Sequence, residues 1–127
     1  MHSDYPRHAD IKLNDTGNGM MSGYQIFEEL EGSVIDWASK KGILDDYSQV
    51  RREAQLRKFE EEATEFMDEV KSGNEDKVRD ELGDVLVTLT IQANLWGLTL
   101  TECLSEAYNK ISVRRGRMID GVFVKDE

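Results

Sequence analysis

Little in this chain of 127 residues breaks a helix, bridges two segments or binds a soft metal. The single proline is Pro6, so nothing beyond it forbids long helices. One cysteine, Cys103, cannot form an internal disulfide, which fits a cytoplasmic compartment. Its apolar helical neighbours mark Cys103 as a small core residue. Both histidines, His2 and His8, stand at the extreme N-terminus. Their absence elsewhere removes the Glu-x-x-His pairs of a di-iron bundle, the ligands of a zinc site and any Ser–His or Cys–His nucleophile pair. No glycine-rich phosphate loop of the Walker type is present. No apolar run reaches the roughly 18 residues of a membrane span, and the N-terminus lacks a charged-then-apolar signal pattern. Positive charge is scarce as well: 16 Lys and Arg stand against 26 Asp and Glu, a net charge of −10. That balance speaks against sequence-independent nucleic-acid binding, which rests on cations neutralising phosphates. The expected partners therefore include neither nucleic acid nor a membrane. An acidic protein still holds a phosphate ligand when a metal ion mediates.

Charged residues make up 33% and hydrophobic residues 39% of the chain, the balance of one soluble domain with a modest core. Residues 1–21 are polar and without periodicity. They read as a flexible extension, native or vector-derived, with Met20 or Met21 as an alternative start, and residues 22–127 as the domain. Four helices are predicted. The first opens on a capping box at "SGYQ", carries Ile26, Leu30, Val34, Trp37 and Ala38 on one stripe, and stops at Gly42. The second runs from near Ser48 to Ser72 and ends at Gly73. The third is capped by Asn74, with Glu75 and Asp76 suiting the dipole in its first turn, and runs to Trp96. The fourth starts at the capping box "TLTE" and closes at Gly116. Asp120-Gly121, between apolar pairs, signals a short C-terminal hairpin, with an extended tail as the alternative. Four helices with short connections give an all-α bundle, or half of one completed by a second chain.

The acidic residues are distributed unevenly. "KFEEEATEF" (58–66) and "ELGD" (81–84) repeat one pattern on the second and third helices. At about 100° per residue, Glu62 and Glu81 sit roughly 80° from their apolar stripes, with Glu65 and Asp84 on the same side at roughly 140°. Antiparallel packing through a short connection lets the two shoulders meet. Four converging carboxylates repel one another without a cation, and oxygen donors of this kind suit Mg²⁺ or Mn²⁺. Glu61 points away from this cluster. The alternative is a solvated helix face with i,i+4 pairs such as Lys58–Glu62. On these residues alone, both readings stand.

The pattern Lys-x-x-Glu-Glu-x-x-Glu followed by Glu-x-x-Asp resembles the motif of MazG-like, all-α nucleoside triphosphate pyrophosphohydrolases. Lys58, Glu61, Glu62, Glu65, Glu81 and Asp84 fill its positions. "VIDWASKKGI" and "AYNKISVRRGRMIDGVFVK" resemble the flanks of single-domain phage and bacterial members, so the likeness spans about residues 24–125. It implies Mg²⁺-dependent cleavage of a nucleoside triphosphate between the α and β phosphates, to a monophosphate and pyrophosphate. Glu62, Glu65, Glu81 and Asp84 are then the metal ligands, and Glu61 orients water or supports the ligands. Lys58, Asn109, Lys110 and Arg114 contact phosphates, with a dipole-favoured basic helix end as the bland reading of the fourth helix. Trp37 contacts the base or packs in the core. Relatives are homodimers or homotetramers with sites completed between chains. Two alternatives stay open: phosphoribosyl-ATP pyrophosphohydrolysis, and a non-catalytic helical module with an acidic face.

Overall fold

The computed structural model describes residues 24–127. The expected extension 1–21 and Ser22 of the first capping box lie outside them. Four helices follow one another: α1 (Phe27–Lys40), α2 (Gln49–Ser72), α3 (Glu75–Leu95) and α4 (Leu100–Ile111). A two-stranded hairpin closes the chain, with β1 (Gly116–Ile119) and β2 (Val122–Lys125). The architecture is all-α apart from this hairpin. No helix among the described residues is long and apolar enough to cross a membrane.

Local chemistry accounts for most of the boundaries. Ser48 caps α2 by accepting from the Arg51 amide, and Asn74 caps α3 by accepting from the Lys77 amide. Glu75 and Asp76 add favourable charge to the first turn of α3. Gly73 ends α2 at φ +77°, a left-handed conformation that costs a residue with a Cβ. Thr99 caps α4 by accepting from the Glu102 amide at 3.1 Å. α1 differs from expectation. It begins at Phe27 with Ile26 at its cap and no side-chain cap bond, and Gln25 is not helical.

α4 stops at Ile111, well short of Gly116. Gly116 instead opens β1, where it pairs with Lys125. A Cβ there would stand 2.2 Å from the Val124 carbonyl oxygen and 2.6 Å from the Phe123 ring. Close approach across the hairpin, not helix termination, is what requires glycine at this position. The turn is Asp120-Gly121, both at positive φ (50° and 83°), as a two-residue hairpin with the right twist demands.

α2 and α3 pack antiparallel across the two-residue link Gly73-Asn74. The Gln92 amide donates to the Arg52 carbonyl, and the Tyr47 hydroxyl donates to Asn94 Oδ1. The buried core is small and lies toward one end of the pair. Ala38, Leu44, Ile91 and Leu95 form it, with Ile35, Ile43 and Val87 packed against it. Arg51 secures the α1–α2 loop by donating to the carbonyls of Gly42 and Ile43. Glu31 is buried in α1 and receives the amides of Leu100 and Thr101 and the Thr101 hydroxyl. Its carboxylate thus satisfies the first turn of α4 and ties that helix to α1.

One expected core residue stands outside. Cys103 is exposed, since the face of α4 that bears it is uncovered in a single chain. Trp96 is 60% exposed; its ring carries the Arg52 guanidinium at 4.1 Å and its indole N–H donates to Gln92.

Leu95 is 1% exposed in a core of few residues. Leu95→Ala is therefore expected to cost about 2–5 kcal/mol, transfer plus cavity terms. Urea titration followed by circular dichroism measures it; a loss well below this range would mean that the core collapses around the gap.

Candidate metal and nucleotide site

The antiparallel pairing of α2 and α3 brings the two acidic shoulders together. Carboxylate oxygens of Glu62, Glu81 and Asp84 all lie within 4.8 Å of one another. Glu65 lies alongside, close enough for its charge to act on Glu81. All four expected carboxylates thus share one region between the helices. Their exposure is graded, with Glu62 buried, Glu81 half-buried and Asp84 exposed.

The electrostatics are unbalanced. Desolvation first, and then the charges of Glu65, Asp84 and Glu62, push the Glu81 carboxyl above the ordinary range. Lys58 supplies one counter-charge, 3.2 Å from Glu62 and 3.5 Å from Glu61. Its bond to Glu62, and next the charge of Glu61, hold the ammonium above its usual pKa. Buried Oε1 atoms of Glu62 and Glu81 still have no hydrogen-bond partner. Two orphaned buried oxygens, in an all-carboxylate donor set, fit a hard divalent cation. Glu61 is exposed and shares the Lys58 ammonium with Glu62.

A cavity of about 500 Å³ adjoins the acids. One end is charged, with Lys58, Glu62 and Asp84; the other is apolar, with Trp37, Ile43, Ala54, Val87 and Ile91. Gln55 and Thr88 complete the lining. A neighbouring hollow of about 380 Å³ shares Trp37, Asp84 and Val87 and adds Leu30, Ser33 and Val34. Trp37 is 48% exposed, a wall of both cavities rather than a core residue. Asn109 and Lys110 in the last turn of α4, and Arg114 just beyond it, are exposed and line neither cavity. Gln55 was not singled out in the sequence. Its spacing was a usable signal, because Gln55, Lys58 and Glu62 follow at three and four residues and share one helix face.

Paired Glu-x-x-Glu and Glu-x-x-Asp carboxylates on an all-α scaffold, beside an apolar-ended cavity, form the donor set of a hard divalent cation, the intermediary by which an acidic protein holds phosphate groups. The family comparison is more definite: residues 51–118 match the MazG nucleotide pyrophosphohydrolase domain. That is more than half of the chain, which therefore belongs to this family of metal-dependent nucleotide hydrolases. No match was found among curated proteins or among solved structures.

A carboxyl with a raised folded pKa holds its proton more tightly in the folded chain than in the unfolded one. Its contribution to stability is full at low pH and is lost as pH rises through the raised value. At neutral pH the metal-free fold therefore carries the repulsion around Glu81. Glu81→Gln is expected to raise the melting temperature in EDTA by a few degrees while shrinking the stabilisation that a divalent cation confers. Melting curves in EDTA and in Mg²⁺ check both signs; a lower melting point in EDTA would show that Glu81 is not under electrostatic strain.

Proposed function

We propose that this protein hydrolyses nucleoside or deoxynucleoside triphosphates between the α and β phosphates, with Mg²⁺, to a monophosphate and pyrophosphate. The observation that carries this reading is the carboxylate cluster with its two orphaned buried oxygens, standing at the charged end of a cavity whose other end is largely apolar. Glu62, Glu65, Glu81 and Asp84 hold the cation, for which Mn²⁺ is a substitute of similar ligand preference. When bound, the ion offsets phosphate charge, polarises the phosphoryl group and lowers the pKa of water. Lys58 sits at the boundary between acids and cavity, where its ammonium meets phosphate oxygens once Glu62 is engaged elsewhere. Glu61, paired with Lys58, positions that ammonium and orients water beside the acids. Trp37 offers an aromatic face to the base at the apolar end.

Phosphate contacts from Asn109, Lys110 and Arg114 call for a second chain, since these residues line neither cavity of their own. A homo-oligomer, dimer or tetramer, fits the uncovered apolar surface. Leu104, Tyr108 and Ile111 of α4 and Met118, Val122 and Phe123 of the hairpin are all exposed in one chain, whereas a two-stranded hairpin is marginal without packing. Light scattering is expected to give a mass of two or four chains, and a monomer at micromolar concentration would remove the oligomeric part of this reading. The exposed cysteine and the net charge fit a reducing compartment without nucleic-acid partners.

The direct test incubates purified protein with dNTPs, NTPs and phosphoribosyl-ATP, in Mg²⁺ and in EDTA, and separates products by ion exchange. Monophosphate and pyrophosphate are expected in Mg²⁺ only. Glu62→Gln is expected to lower turnover by about 100-fold or more, since even a group that merely supports a ligand is worth 10–100-fold, while the helical signal persists. Diphosphate with orthophosphate would move the cleavage point. Turnover confined to phosphoribosyl-ATP would reassign the substrate, and an uncut panel would favour a non-catalytic helical module.

A further inference from the structure

From the cavity that adjoins the acids, we propose that Gln55 reads the hydrogen-bonding edge of the nucleobase, making it a specificity-determining residue of this site; the proposal rests on the nucleotide reading above. Among the polar side chains lining that cavity, Gln55 is the one uncommitted neutral group that carries both a donor and an acceptor. Glu62 and Asp84 belong to the carboxylate cluster. Lys58 is paired with Glu61 and Glu62. Thr88 spends its hydroxyl proton on the Val85 carbonyl at 2.7 Å. The Gln55 carboxamide has no hydrogen-bond partner among the described residues, yet it lines the cavity and is only half-exposed. A carboxamide offers one acceptor oxygen and two donor hydrogens side by side. Bases present adjacent donors and acceptors on their edges, and a planar amide meets such an edge with two parallel bonds.

Its location matches that task. Gln55, Lys58 and Glu62 lie along one face of α2, and the seven-residue step from Gln55 to Glu62 spans about 10 Å of helix axis. The order along the helix is neutral amide, cation, metal-ligating acid. This is also the order of base edge, phosphate chain and metal in an extended nucleotide. Antiparallel packing sets Ile91 of α3 at the Gln55 end, as Asp84 stands at the Glu62 end. Gln55 therefore sits among Trp37, Ala54 and Ile91, where an apolar wall holds the ring and a single amide supplies direction. An amide left without a partner against such a wall is costly, so a base that cannot pair with it is disfavoured.

Two variants separate this role from a structural one. Gln55→Leu removes donor and acceptor at similar size. Gln55→Glu leaves acceptors only, which suit the exocyclic amino groups of cytosine and adenine and repel the carbonyl-flanked edge of uracil and thymine. Steady-state kcat/KM would be measured for the four dNTPs, dUTP and deoxyribose 5-triphosphate, which lacks a base. Mg²⁺-induced melting shifts would be recorded alongside. Gln55→Leu is expected to lower kcat/KM for base-bearing substrates by about tenfold or more, the effect of a lost hydrogen bond, with the base-free triphosphate unchanged. Gln55→Glu is expected to raise the ratio of dCTP and dATP to dUTP and dTTP. Unchanged ratios in both variants, with turnover and the Mg²⁺ shift intact, would overturn the assignment while leaving the hydrolase reading in place. Equal losses for base-free and base-bearing triphosphates would overturn it in favour of a structural role. No turnover of any substrate by the unaltered protein would fell the nucleotide reading and the assignment together.

Discussion

The antiparallel pairing of α2 with α3 is the constraint on which the rest of this molecule depends. The two-residue link Gly73-Asn74 forces each helix to fold back along the other, so that residues equally far from the link face one another. Glu62 then meets Glu81 and Asp84, Gln55 stands across from Ile91, and Arg52 reaches Gln92. Every side chain assigned to cation, phosphate or base in a single chain is held by this pair, apart from Trp37, which α1 brings against it. A helix pair is a stiff platform for a site, since ligands held by helices move less than ligands held by loops.

The pair also carries a cost. Clustered carboxylates raise the energy of the metal-free fold, and the strain is concentrated at Glu81, where burial and three like charges act together. Lys58 offsets part of it from outside the cluster. A divalent ion held by these carboxylates would relieve that repulsion and so link cation binding to folding stability at the same atoms. If these groups form the proposed site, substrate chemistry and scaffold stability pull in opposite directions at this position, a pattern expected where a binding site is built from groups that would otherwise repel.

The remaining helices frame this pair. α1 closes the apolar end of the cavity with Trp37 and places Ala38 in the core. α4 is tethered by the buried Glu31 carboxylate, which takes the place of a longer apolar contact between α1 and α4. The wide apolar faces of α4 and the hairpin stay open to solvent in one chain, and the core itself is only a handful of residues. A core of this size leaves a modest margin of stability, which self-association would widen.

Sequence alone determined the helices, most of their ends and the acidic shoulders. Caps at Ser48, Asn74 and Thr99, the stop at Gly73 and the Asp-Gly turn are local chemistry, settled within a few residues of chain. The phase of Glu62, Glu65, Glu81 and Asp84 on their helices is periodicity, which the sequence also contains. Tertiary structure alone decided the rest. The limits of α4 and the use of Gly116 depended on the approach of β2, a contact across the hairpin. Cys103 read as core from its neighbours, but whether an apolar face is covered depends on what packs on it, and nothing among the described residues buries Cys103. Glu31 looked like any surface acid, because its three donors come from residues about seventy positions away. Gln55 was equally silent, since an uncommitted amide gains meaning only when a cavity forms beside it. Periodicity fixes the direction in which a side chain leaves its helix; what it meets there is set by the packing of distant segments.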